Sequence, residues 1–74
     1  MRKYLVDLRE KRNESQQTVA DRLGISRQYY AMIENGTRQK CMDMPLLVGL
    51  ASVFGLTTEK IIAFEQEYQK SVTQ

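Results

Sequence analysis

Histidine and tryptophan are absent from the 74-residue sequence, and Cys41 is its single cysteine. Histidine is the commonest general base and metal ligand, and zinc sites need sets of cysteine and histidine. No carboxylate pair lies in a glycine-framed motif, and no nucleophile has an identifiable base. We therefore expect no catalytic residue, no metal and no cofactor, so the chain is predicted not to be an enzyme. One cysteine forms no internal disulfide, which fits a reducing cytosol.

Long apolar segments are also missing. No run approaches the ~20 residues that a membrane span needs. The N-terminus is charged at Arg2, Lys3 and Asp7 instead of carrying the apolar stretch of a signal peptide. We expect no membrane partner and a cytoplasmic location. The length predicts one domain over residues 1–74, with the last few residues before Gln74 frayed.

The excess of basic over acidic residues is small, since the net charge is only +2. The two halves differ, however. Residues 1–40 carry nine lysines and arginines against five acids, whereas residues 41–74 carry two against four. A mildly basic N-terminal half indicates one surface that faces an anion.

The apolar residues recur with helical spacing, and no segment alternates in the manner of a strand. The pattern predicts five helices, at about residues 2–13, 16–23, 27–34 and 44–54 and after Thr57. Polar side chains at Ser15, Ser26 and Asp43 are predicted N-caps, because their oxygens can accept a hydrogen bond from an unpaired backbone N–H. Glycines at the helix ends are predicted to stop the second, third and fourth helices.

Two short helices separated by Gly24-Ile25-Ser26 have the spacing of a helix-turn-helix, here over about residues 15–35. The same pattern also occurs in ordinary helical bundles. The second of these helices exposes Arg27, Gln28 and Met32. Arginine can bond guanine O6 and N7, glutamine can bond adenine N6 and N7, and methionine can touch a thymine methyl. These three residues are therefore candidate DNA base contacts, and an ordinary solvated surface is the alternative interpretation.

The motifs of this region resemble, in order, those of the Cro/cI-type (XRE) helix-turn-helix family, which includes phage repressors. The shared motifs are Ser15-Gln16, Val19-Ala20, Leu23-Gly24-Ile25-Ser26 and Ile33-Glu34-Asn35-Gly36. The likeness extends upstream to Leu8-Arg9 and downstream to residues 46–51 and 54–57, so it spans about residues 5–64. It implies an all-α fold, a compact five-helix lambda-repressor-like domain that binds double-stranded operator DNA as a dimer.

The resemblance also implies roles by position. Gln16, the first residue of the second helix, would bond a phosphate and brace the recognition helix. Further contacts to the DNA backbone are expected from Tyr29, Asn35, Thr37 and Arg38. Arg9 and Glu34 would form a structural ion pair that ties the first helix to the end of the third.

Four features depart from the family pattern. Glu14 replaces the usual apolar residue before the cap, so a hydrophobic staple is missing, and Thr18 replaces the acid of a capping box. Tyr30 replaces an aliphatic side chain, and its hydroxyl needs a partner. The loop over residues 37–42 is slightly longer than usual.

Two functions from different classes are compatible with these residues. The first is a transcriptional regulator, a repressor that binds a pseudo-palindromic operator as a homodimer. The second is a protein-interaction module, such as an antitoxin or antirepressor, with an unidentified protein partner. The fourth helix carries more apolar surface than one small core needs. The predicted dimer interface comprises Val53, Leu56, Thr57, Ile61 and Ile62.

Overall fold

The computed structural model describes residues 1–72, which form five helices and no strand within that range. The helices are α1 (Lys3–Lys11), α2 (Gln16–Leu23), α3 (Arg27–Asn35), α4 (Met44–Phe54) and α5 (Thr58–Val72). The all-α class and all five predicted segments are confirmed. Helix α1 is shorter than predicted at both ends, and α3 extends one residue further. The fraying expected at Gln74 lies outside the described residues.

Side-chain caps begin four of the five helices. In each, a side-chain oxygen accepts a hydrogen bond from the backbone N–H three residues further along, at 3.0 to 3.1 Å. Each bond satisfies one donor that a helix start leaves unpaired and stabilises the helix by about 1 kcal/mol. The caps are Ser15, Ser26 and Asp43, as predicted, together with Thr57.

The C-terminus of α3 is stopped by Gly36, which has a φ of 89°. Only glycine adopts this left-handed conformation at little cost. A Cβ atom at position 36 would also lie 2.6 Å from the hydroxyl oxygen of Tyr68 on α5. Gly36 therefore satisfies a backbone requirement and a close helix approach together.

The core draws side chains from all five helices. Its buried apolar members are Leu5, Val19, Ala20, Tyr30, Ile33, Leu47, Leu50, Ala51, Phe54 and Ile61. Helices α2 and α3 face it with one side each, and α4 packs closely behind α2, where a Cβ at Gly49 would lie 3.0 Å from Leu23. The predicted helix-turn-helix thus rests on α4 and keeps the opposite side of α3 for solvent.

Residues 1–72 contain neither a membrane-spanning helix nor a cluster of metal-ligating side chains. No single helix there is long and apolar enough to span a membrane, and α4 with α5 reaches that length only as a pair bent by 114°. The same residues contain no group of three or more cysteine and acidic side chains that could hold a metal ion.

The buried carboxylate of Glu34 joins the first three helices. Arg9 on α1 donates to it from Nε at 2.8 Å, and Gln16 on α2 donates from Nε2 at 3.0 Å. Arg9 and Gln16 therefore both contact the Glu34 carboxylate. The hydrogen bond to Glu34 raises the pKa of the Arg9 guanidinium, against the opposing effect of burial.

Ion pairs of Glu14 take the place of the absent hydrophobic staple before α2. Glu14 accepts a hydrogen bond from Arg12 at 3.1 Å and forms an ion pair with Arg22 on α2. Its side chain is only 10% exposed. A carboxylate at this position therefore links the end of α1 to α2, as an apolar contact would otherwise do.

Arg2, which precedes α1, is completely buried and forms the centre of what we call the Arg2–Glu65 cluster, namely Arg2, Tyr4, Glu65, Tyr68 and Gln69. The guanidinium makes a two-point ion pair with Glu65 on α5, with Nε–Oε1 and Nη2–Oε2 distances of 3.0 Å. Tyr4 and Gln69 donate to the same carboxylate at 2.6 and 2.8 Å. The guanidinium lies over the Tyr68 ring, 4.9 Å from its centroid. The cluster therefore anchors the start of the chain on α5.

The hydroxyl of Tyr30 is buried near the Glu34 carboxylate and the Arg9 guanidinium, although it makes no hydrogen bond of standard geometry within residues 1–72. Burial raises the pKa of this hydroxyl, and the neighbouring Glu34 carboxylate raises it further.

The Glu34 carboxylate is expected to be a major contributor to stability. Glu34→Gln leaves the Arg9 cation without its counter-charge, and breaking one side of a buried pair costs about 3–5 kcal/mol. We expect a loss near 3 kcal/mol, because the Arg9 side chain keeps 15% exposure. Urea denaturation followed by circular dichroism measures this loss.

Glu67→Gln is the matched control, since Glu67 pairs with Lys70 at 3.9 Å on the open surface. Exposed pairs contribute about 0–1 kcal/mol. Equal losses for the two variants would contradict a structural role for Glu34.

Acid is expected to weaken the fold through Glu65. Burial raises the pKa of this carboxyl, but hydrogen bonds from Arg2, Tyr4 and Gln69 outweigh burial and hold the pKa below its ordinary value of 4.5. A lowered pKa stabilises the fold fully above pH 4.5, and this stabilisation is lost as pH falls through the folded-state value. The stability difference between wild type and Glu65→Gln should therefore narrow in acid. Urea unfolding midpoints of both proteins, measured from neutral pH to below pH 4.5, test this expectation. A stability difference between them that stays constant with pH would contradict it.

Candidate nucleic-acid interface

The outer face of α3 carries the predicted base contacts. Arg27 and Gln28 are the first two residues of the helix, and both are exposed. Neither side chain has a hydrogen bond or ion pair within the part of the chain that the structure describes. Met32, one turn after Gln28, is half-buried on the same side. The placement of Arg27 and Gln28 leaves all their donors and acceptors available to an external partner.

The inner face of α3 explains this arrangement. Tyr30, Ile33 and Glu34 are buried, so three positions on one face of the helix fix its rotation. The Ser26 cap starts the helix immediately before Arg27. The rotation of α3 about its axis and the position of its first residue together determine which of its side chains point outward.

Gln16 lies at the beginning of α2, where it is half-buried. One N–H of its side-chain amide is bonded to Glu34. An amide nitrogen carries two donors, so the second remains for another acceptor. The first backbone N–H groups of α2 are also free of helical partners, and such groups favour anions. The predicted phosphate contact at Gln16 is compatible with its bracing role and stays a prediction.

The residues just past α3 form a local turn. Asn35 Oδ1 accepts hydrogen bonds from the Thr37 backbone N–H at 3.0 Å and from the Thr37 hydroxyl at 2.8 Å. This Asx-type turn fixes both side chains and leaves the Asn35 amide nitrogen outward. The Arg38 side chain is exposed and has no ion pair within residues 1–72. Contacts of these three residues with DNA stay predictions.

Tyr29 connects α3 to the following loop. Its ring is half-buried, and its hydroxyl accepts a hydrogen bond from Gln39 Nε2 at 2.8 Å. A hydroxyl that accepts in this way still has its own proton to donate. The predicted backbone contact at Tyr29 therefore requires no change in its packing, and it also stays a prediction.

Positive charge is concentrated around α3 without neutralising partners. Arg27, Arg38 and Lys40 are exposed, and none forms an ion pair within the described residues. The Glu34 carboxylate on the same helix is buried against Arg9. The surface near α3 therefore keeps the positive excess that the charge of residues 1–40 predicted.

The predicted dimer interface needs one correction. Ile61 is fully buried, because its position on α5 shares the inward face with Glu65, so it is not available to a second chain. Val53, Leu56 and Ile62 are half-buried, and Thr57 is exposed. These four residues remain the predicted interface. The most exposed apolar side chains of α4, Met44 and Val48, were not in the predicted set.

Sequence reasoning missed the Arg2–Glu65 cluster. Arg2 gives no signal, because a charged second residue is ordinary in a solvated N-terminus. Glu65 does give one, since it lies one turn after the buried Ile61 on the inner side of α5. An acid on a buried helix face requires a buried cation or several donors.

Comparison with known proteins supports the assignment of the fold. Residues 5–61 match the family model described as helix-turn-helix. The chain is 37% identical over 65 residues to the HTH-type transcriptional regulator AnsR of Bacillus subtilis (strain 168), an alignment that covers 88% of this chain. It covers 54% of AnsR, so the chain spans about half the length of that curated relative. No solved structure matches. Because the matched region extends from α1 into α5 and covers most of the chain, this protein belongs to the XRE-type helix-turn-helix family.

Proposed function

We propose that this protein is a sequence-specific, DNA-binding transcriptional regulator in which α3 enters the major groove. The observation that carries the proposal is the pair Arg27 and Gln28, exposed and without internal partners at the N-terminal end of α3. Helix-turn-helix proteins contact base edges with this end of their second helix. The description of AnsR as a transcriptional regulator supports the same function.

Three side chains would read the bases. Arg27 would bond guanine O6 and N7, Gln28 would bond adenine N6 and N7, and Met32 would contact a thymine methyl. Each two-point hydrogen-bonded contact discriminates against a wrong base by about 1–3 kcal/mol. The half-buried position of Met32 restricts it to the tip of its side chain, so it contributes least.

Contacts to phosphate would hold α3 in register from both ends. At the start of α2, Gln16 offers an amide N–H. Beyond α3, the donors are the Asn35 amide, the Arg38 guanidinium and the Tyr29 hydroxyl. A contact through Thr37 would require its N–H or its hydroxyl to leave Asn35 Oδ1. Phosphate contacts fix orientation and carry no sequence information directly, which leaves specificity to α3.

A homodimer would place two copies of α3 in successive major grooves, ~34 Å apart, on a pseudo-palindromic operator. Occupancy of such a site near a promoter excludes polymerase, which makes the regulator a repressor acting in the cytoplasm. The interface would be formed by Val53, Leu56, Thr57 and Ile62 at the end of α4 and the start of α5. The half-buried apolar groups of Val53, Leu56 and Ile62, beside the exposed Thr57, provide a surface that a second copy can cover.

Arg27→Ala tests the base contact. We expect the variant to bind a site selected from random DNA about 1–3 kcal/mol more weakly and to lose discrimination at one base pair. Fluorescence anisotropy with the selected duplex and its single-base variants measures both effects. Lys60→Ala, which removes the same charge from an exposed position on α5, is the control and should keep the base preference.

Two results would contradict parts of the proposal. Equal weakening on every sequence would make Arg27 a phosphate contact. Failure of the wild-type protein to select any DNA at low salt would contradict the regulator function and favour the antitoxin or antirepressor alternative. The affinity of the protein for DNA should also fall steeply with salt concentration, because each neutralised phosphate adds about 0.9 to the slope of log affinity against log salt.

Ile62→Glu tests the dimer. A charge at this half-buried apolar position is expected to shift a dimer to monomer in sedimentation equilibrium, with the helical circular dichroism retained. Val48→Glu is the control, because Val48 is 49% exposed on α4 and lies outside the proposed interface. A wild-type monomer, or an Ile62→Glu protein that dimerises as tightly as wild type, would contradict this interface.

A further inference from the structure

We propose that Arg2 is a positioning residue for DNA binding, because its buried guanidinium holds the loop after α3 in the shape that presents phosphate-binding groups. We define this loop as residues 36–42 and call it the α3–α4 loop. The inference rests on the proposed DNA-binding function and extends it to residues that do not touch DNA.

The guanidinium binds the loop through its backbone. Besides Glu65, its acceptors are the carbonyl oxygens of Ile33, Arg38, Gln39 and Lys40, with distances of 2.7, 3.3 and 3.4 Å for Ile33, Arg38 and Lys40. Arginine carries five N–H donors, and six acceptors lie within hydrogen-bonding distance of them, so the two hydrogens of Nη2 are shared among three acceptors. All its hydrogen-bonding capacity is used, and none of it is exposed.

Two side-chain bonds also reach the loop: Gln39 Nε2 donates to the Tyr29 hydroxyl, and Gln69 Nε2 donates to the Lys40 carbonyl. The backbone amide of Arg38 still bonds to Met32 at the end of α3, at 3.2 Å. The amides of residues 39–42 make no backbone hydrogen bond within the described part of the chain. Gln39 has a left-handed φ of 53°, a conformation that non-glycine residues adopt only when their surroundings stabilise it. Three consecutive loop carbonyls instead converge on Arg2.

The loop carbonyls that bond to Arg2 determine which backbone N–H groups of the α3–α4 loop face solvent. All peptide bonds described in the structure are trans, so each N–H points away from the carbonyl of its own peptide unit. Holding the carbonyls of Arg38, Gln39 and Lys40 against Arg2 therefore turns the next three amides away from the guanidinium. Outward amides beside the exposed Arg38 and Lys40 side chains are suitable donors for phosphate oxygens.

Glu65 acts through Arg2. A buried cation without a counter-charge is costly, so the guanidinium stays in place only because this carboxylate accepts two of its donors. Tyr4 and Gln69 fix the carboxylate from α1 and α5. The position of the α3–α4 loop therefore depends on a residue 63 positions away from Arg2 in the sequence.

The test uses the double variant Arg2→Met/Glu65→Leu. The double change removes both members of the buried ion pair, so neither charge is left buried without its partner, and the net charge does not change. The matched control is Glu67→Gln/Lys70→Gln, which removes one charge of each sign from the exposed pair on α5.

We expect the Arg2→Met/Glu65→Leu protein to bind the selected duplex at least about tenfold more weakly, with unchanged base preference. Its slope of log affinity against log salt should be shallower by about 1–2, because each lost phosphate contact removes about 0.9. A merely structural role would leave this slope unchanged in the folded protein. An affinity and a slope equal to those of the control would overturn the proposal.

A second measurement does not require DNA. Cys41 is the single cysteine, lies in the loop and is exposed, so a nitroxide attached to it reports the order of the loop. We expect a restricted electron paramagnetic resonance spectrum in the wild type and a mobile one in the double variant. Identical spectra would overturn the proposal even if no DNA is bound, which separates its failure from that of the proposed function.

If circular dichroism shows the double variant to be unfolded, Glu65→Gln takes its place. This change removes the charge but keeps a similar shape and one carbonyl oxygen. We expect about threefold weaker DNA binding and an intermediate nitroxide spectrum. Wild-type values for both measurements would overturn the proposal.

Discussion

Burial of the Arg2 guanidinium is the interaction on which the arrangement of this small fold depends. The charge is tolerable only because Glu65 neutralises it and backbone carbonyls accept its remaining donors. These acceptors come from α5, from the end of α3 and from the loop that follows. One side chain at the start of the chain thus connects elements that apolar packing alone would leave free to shift.

A second buried carboxylate repeats the same solution on the other side of α1. Glu34 receives Arg9 from α1 and Gln16 from α2, as Glu65 receives Arg2. The N-terminal segment therefore supplies both cations, and both bond to the C-terminal end of α3, at the Ile33 carbonyl and the Glu34 carboxylate. In a domain with few core residues, directional bonds of this kind fix helix orientation more narrowly than contacts between apolar side chains do.

The parts of the fold that the sequence predicted are those governed by local rules. The helix starts are predictable because polar side chains cap them, at Ser15, Ser26 and Asp43. The inner face of α3 is predictable from the spacing of its apolar residues. The Arg9–Glu34 pair was accessible through resemblance to a family. Arg2 was not accessible, because its partner is 63 residues away and a charged N-terminus normally stays in water. Ile61 falls in the predicted interface because the apolar surface of the fourth helix exceeds what one small core needs, and that argument does not separate Ile61, which is buried, from Ile62, which is half-buried.

Structural and recognition tasks are divided unevenly among the residues around α3. Asn35 and Thr37 are already bonded to each other, and Gln16 is bonded to Glu34, so changes at these positions alter the fold as well as the surface. Arg27 and Gln28 have no such internal bonds. The free energy of folding is therefore nearly independent of which side chains stand there, and a new target preference can arise without a compensating change elsewhere. The molecule separates what makes it fold from what makes it selective, so related proteins can diverge in target choice while keeping one scaffold.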